Sequence, residues 1–127
     1  MKAIIFALLF VFILGIANCY DIARVTPIYE GCKSQFPSIE KFPTIPEMMA
    51  TTFETSNPQI KCFIHCIIET AGEVDATGNL VVAGLKSMGW GDETKISAAA
   101  NECIGIKGID KCDTSYQQYG CFMMKMM

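Results

Sequence analysis

The sequence predicts an all-α domain of about six helices, stapled by disulfides. Three observations lead there. Apolar residues recur at helical spacing in one segment after another. Capping residues, prolines and glycines punctuate those segments where helices begin and end. Six cysteines follow an apolar leader, and no stretch alternates long enough to read as a strand.

Met1-Lys2 and the apolar run Ala3 to Ala17 have the form of a secretory leader. The run is short for a membrane span, which needs about 20 apolar residues, so stable membrane insertion is not expected. Ala17 and Cys19 occupy the small-residue positions of a cleavage site, which would start the mature domain at Tyr20. Cleavage after Ala17 is the competitor. The expected division is a leader over 1–19 and one domain over 20–127. Losing Cys19 leaves an even set of six cysteines, and a secreted, oxidising setting makes disulfides the default.

Ten Lys and Arg stand against 13 Asp and Glu, for a net charge of −3, and loss of Lys2 makes the remainder more acidic. With no basic run, this excludes nucleic acid and an anionic membrane surface as partners.

In chain order, Ile22, Val25, Ile28, Tyr29 and Cys32 share a helical stripe within Tyr20 to Phe36, with Pro27 as a potential kink. Pro37 and Pro43 mark a loop. Thr44-Ile45-Pro46-Glu47 is a capping box opening a short helix through Phe53. Asn57 and Pro58 then open the central helix, which runs to Ala71. Its apolar face carries Ile60, Phe63, Ile64, Ile67 and Ile68. Cys62 and Cys66 share another face, and Lys61, His65 and Glu69 fill a thin wet strip.

Gly72 to Asn79 is turn chemistry, with Asn79 as a cap for a helix over Leu80 to Met88. Asp92 caps the next helix, with Ile96, Ala99, Ala100 and Cys103 on one stripe. Asp110 opens the last, where Cys112, Tyr116, Tyr119 and Met123 share a face and Cys121 points away.

Six cysteines allow fifteen pairings. Cys62–Cys66 is poorly placed within one helix turn, and Cys112 and Cys121 lie about 13 Å apart along one helix. Excluding both leaves ten pairings open. The spacing C-x29-C-x3-C-x36-C-x8-C-x8-C resembles the insect odorant-binding and pheromone-binding protein family, six-cysteine type. The strong elements are the three residues between the second and third cysteines and the eight between the fifth and sixth.

The resemblance implies the pairs Cys32–Cys66, Cys62–Cys112 and Cys103–Cys121 and helices around an apolar cavity. It also implies a secreted carrier of small hydrophobic molecules, odorants or pheromones. An olfactory receptor is a candidate second partner, and the expected state is a monomer or weak homodimer. The same fold could serve as a non-olfactory lipid or hormone carrier, or as a venom, salivary or seminal protein. A receptor ligand or toxin is a further alternative.

The expected cavity lining is Phe53, Leu85, Met88, Trp90, Ile96, Tyr116, Tyr119, Phe122 and Met123. The Met-rich tail supplies adaptable apolar wall. Trp90, between two glycines, either covers the core or stands at the cavity mouth with its N–H toward a ligand. Tyr116, Tyr119, Thr51, Thr52 and Ser87 are the polar groups able to orient one. His65 lies between two cysteines, but in an oxidising compartment those are spent in disulfides, so no metal is expected and His65 reads as an exposed structural residue. No cofactor is expected. With one histidine and no nucleophile elbow, P-loop or zincin motif, the sequence does not read as an enzyme.

Overall fold

A computed structural model describes residues 20–50 and 52–127. The expected leader over 1–19 and the candidate Thr51 lie outside them. Among the described residues there are six helices: α1 Ile22–Lys33, α2 Ile45–Met49, α3 Pro58–Thr70, α4 Val82–Ser87, α5 Glu93–Cys103 and α6 Lys111–Met126. The one extended pairing there is an isolated antiparallel bridge, Val74 to Leu80.

Five of the six described helices start at a side-chain cap. The side chains of Asp21, Thr44, Asn57, Asp92 and Asp110 accept hydrogen bonds from Arg24 N, Glu47 N, Gln59 N, Lys95 N and Asp113 N. Pro27 sits inside α1 on its exposed side, where water can meet the carbonyl it leaves unpaired.

Two boundaries differ from expectation. α2 ends at Met49 rather than Phe53, because Ala50 turns extended. α4 starts at Val82 with no side-chain cap. Asn79 is taken by the preceding turn, where Asp75 Oδ1 accepts from Thr77 N at 2.9 Å and Asn79 N at 3.0 Å. The Asn79 side chain instead accepts from Gln118 Nε2 at 2.9 Å.

α3 is central. It packs against α6 on one side and α1 on the other, while α5 lies on α6 and α4 on α5. Three disulfides fix this order among the described residues: Cys32–Cys66, Cys62–Cys112 and Cys103–Cys121, with Cα separations of 6.0, 4.7 and 5.8 Å. Cys62 and Cys66, one turn apart on α3, thus tie it to α6 and to α1.

His65 is a correction. It is only 3% exposed, with Nδ1 3.0 Å from Ser115 Oγ. The Cys62–Cys112 bridge draws the start of α6 over the supposed wet strip, and Lys61 Nζ meets Asp113 Oδ1 there at 2.8 Å. Burial pushes the His65 imidazole pKa below its ordinary value, against the raising effect of Glu69.

The core divides in two. One cluster joins Ile64 and Ile68 to Leu85, Ile96 and Phe122; the other joins Phe63 and Ile67 to Val25, Tyr29 and Met88. Phe63 is fully buried and meets Tyr29, Phe36 and Phe42 edge-on, at centroid distances of 5.5, 5.9 and 4.9 Å.

Candidate functional site

Between these two clusters lies a cavity of about 530 Å³. Most of its wall comes from four directions, with Glu54 and Ile106 completing it. α3 contributes Ile64, Ile67 and Ile68, the successive turns of its apolar face. α6 contributes Tyr116, Tyr119, Gly120, Met123 and Met124; α2 contributes Ile45, Met48 and Met49, with Phe53 just beyond; Tyr20 and Val25 close the side toward α1. The volume is within the roughly 300–1,000 Å³ usual for small-molecule sites. A largely apolar surface holds water poorly and favours an apolar guest.

Of the expected lining, Phe53, Tyr116, Tyr119 and Met123 border this cavity. Leu85, Met88, Ile96 and Phe122 do not: each is wholly buried in solid packing. They sit on the inner faces of α4, α5 and α6 and of the turn after α4, where those elements press on one another rather than on the void. Trp90 also stands off the wall, and its ring packs on Phe122 and Tyr20 at 5.3 and 4.8 Å. The sequence reading missed Tyr20, Val25, Met48, Met49 and the three isoleucines of α3. The α3 face was legible as apolar, but nothing in its periodicity distinguishes a wall from a core.

Neither Thr52 nor Ser87 borders the cavity. Its polar side chains are Tyr20, Tyr116, Gln117, Tyr119 and Glu54, and the Tyr20 and Tyr119 hydroxyls converge on a carboxyl behind the wall, Glu73, at the turn that follows α3. This carboxyl is 0% exposed. Tyr20 Oη donates to Oε1 at 2.7 Å, while Tyr119 Oη and Trp90 Nε1 donate to Oε2 at 2.9 and 3.0 Å. Burial pushes the carboxyl pKa above its ordinary value, opposed by the three donors and by the Arg24 charge. Burial likewise pushes both phenols up, reinforced by the negative charge of Glu73. Arg24 is itself engaged, donating to Ala71 O at 3.2 Å and to Ser87 Oγ at 3.4 Å.

Ser115, His65 and Glu69 fall in the order of a hydrolytic triad, with His65 Nε2 2.7 Å from Glu69 Oε2 but not aligned for a hydrogen bond. Ser115 is completely buried, donates to Cys112 O at 3.1 Å and does not border the cavity described above, so a guest held there does not meet its hydroxyl. The group holds α3 to α6. Cys62 and Cys66 are spent in disulfides and unavailable to a metal.

A family model described as the PBP/GOBP family matches residues 21–125. General odorant-binding protein 56a of Drosophila melanogaster is 34% identical over 76 residues, which cover 58% of this chain and 53% of that protein. General odorant-binding protein 69a of the same fly is 29% identical over 69 residues, covering 54% and 47%. The chain thus spans about half the length of the curated relatives it matches. Among solved structures, the fatty acid binding protein OBP56a from the oral disk of the blowfly Phormia regina aligns with a TM-score of 0.61 at 27% identity, over 81% of this chain and 89% of that one.

Proposed function

We propose that this chain, which belongs to the PBP/GOBP family, is a secreted carrier of small hydrophobic molecules, odorants or pheromones, through aqueous extracellular fluid. The observation that carries this reading is the cavity of about 530 Å³ between α1, α2, α3 and α6. The mechanism is sequestration. A guest that moves roughly 300 Å² of apolar surface out of water gains about 7 kcal/mol before ordering costs, enough for affinity near micromolar. No bond is made or broken, and an olfactory receptor would be a downstream partner.

A second reading keeps the mechanism and changes the cargo to fatty acids or other lipids. It is favoured by the blowfly relative, whose description names fatty acids. Titration of N-phenyl-1-naphthylamine into the oxidised protein tests both. Saturable binding near one probe per chain, displaced by apolar competitors, is expected; a linear, non-saturating signal would sink the carrier reading. Competition between volatile odorants and fatty acids then separates the two cargoes.

A further inference from the structure

The cavity ends against two phenols whose protons are already committed. Tyr20 and Tyr119 border it, and both hydroxyls are directed at the carboxyl of Glu73. The indole N–H of Trp90 can only donate, and it too goes to Glu73. In its ionised form the Glu73 carboxylate has no proton to give back, so it accepts all three bonds. Each phenol oxygen is then left with lone pairs and no free proton, with the Tyr119 hydroxyl also 3.4 Å from the Tyr20 oxygen.

We propose that Glu73 makes this cavity select guests whose polar end donates a hydrogen bond, and reject matched guests that end in a carboxylate. The inference rests on the carrier reading and sharpens it. A guest hydroxyl or ammonium finds acceptor oxygens at Tyr20 and Tyr119. At this end of the cavity a guest carboxylate finds the same acceptors, with no proton to share and a buried negative charge behind them; the wall's other polar side chains are Tyr116, whose hydroxyl accepts from Thr55 N, Gln117 and Glu54. The charged and titratable groups facing Glu73 are Tyr20, Tyr119 and Arg24. Arg24 is the only cation among them, and its guanidinium is already bonded to Ala71 O and Ser87 Oγ. Leaving a guest anion without donors at the Tyr20–Tyr119 end is costly, since its lost hydration is not replaced there.

Protonation would invert the rule. A proton on Oε1 would point at Tyr20 and free the Tyr20 hydroxyl to donate into the cavity, which would favour a carboxylate guest.

The test is displacement of N-phenyl-1-naphthylamine near neutral pH by four ligands sharing one twelve-carbon chain: dodecanol, dodecylamine, dodecanoic acid and methyl dodecanoate. The alcohol and amine should bind at least about tenfold more tightly than the acid, the ratio expected for a hydrogen bond to a charge-linked acceptor against an unpaired anion. In Glu73→Gln the side-chain amide can donate to one phenol and release its proton, so the preference should shrink to within about threefold. An acid that binds as tightly as the alcohol in the native protein overturns the proposal while leaving the carrier reading intact. So does a tenfold preference that survives Glu73→Gln. Failure of the probe itself to bind removes the carrier reading, and this inference with it. The ligand series on the unaltered protein decides the matter even if the variant does not fold.

Discussion

Gly84, in α4, meets the backbone carbonyl of Gly72 with no room for a β-carbon between them. The contact presses α4 onto the turn that presents Glu73. Only a residue without a side chain allows this approach. Gly84→Ala must therefore push the two segments apart, moving Glu73 relative to Tyr20 and Tyr119. The expected loss is about 1–3 kcal/mol, the usual cost of overpacking, read as a lower urea midpoint with an unchanged slope.

The bridges should differ in worth. Cys62–Cys112 closes a separation of 50 residues and Cys103–Cys121 one of 18. If restriction of the unfolded chain dominates, removing the first costs about 4 kcal/mol and removing the second about 3 kcal/mol. Paired Cys→Ser variants compared in urea measure the difference. A larger loss from the shorter bridge would place the stabilisation in native packing instead.

Stability should also carry a signature of Glu73. Its carboxyl titrates higher folded than unfolded, because burial disfavours the charge. The folded state therefore keeps that proton over a window that begins near the ordinary value of 4.5 and ends at the raised one. Stability from this group is full below the window and is lost as pH rises through it. His65 has the opposite sign: its ring titrates below the ordinary 6.5, so acidification below that value costs stability. Glu73→Gln removes the first slope and spares the second. Unfolding free energies measured from about pH 4 to about pH 8 should show wild type losing ground to Glu73→Gln as pH rises. A difference flat in pH would mean that Glu73 titrates alike in both states.

The helices and their order were legible because the caps are local. Asp21, Thr44, Asn57, Asp92 and Asp110 lie within three residues of the amides they accept. The cysteine spacing carried the pairings through a family pattern, where helix geometry alone left ten. What stayed hidden was long-range. Periodicity sees one helix at a time, so Ile64 on the cavity and Leu85 in solid core look alike. Asn79 has the chemistry of a cap but is claimed by Asp75 and Gln118, and the Gln118 contact comes from 39 residues away. Glu73 read as part of a polar turn, since its three partners lie 53, 17 and 46 residues distant.

The sulfur ties along α3 have a consequence for how such a protein can change. Cys62 and Cys66 hold α6 and α1 in place whatever side chains stand around the void. Met48, Met49 and Met124 border that void without being fully buried, so altering them removes few contacts that the fold depends on. Scaffold and guest preference are thus separately mutable, and a descendant can acquire a new cargo by point changes in the wall while inheriting its frame intact.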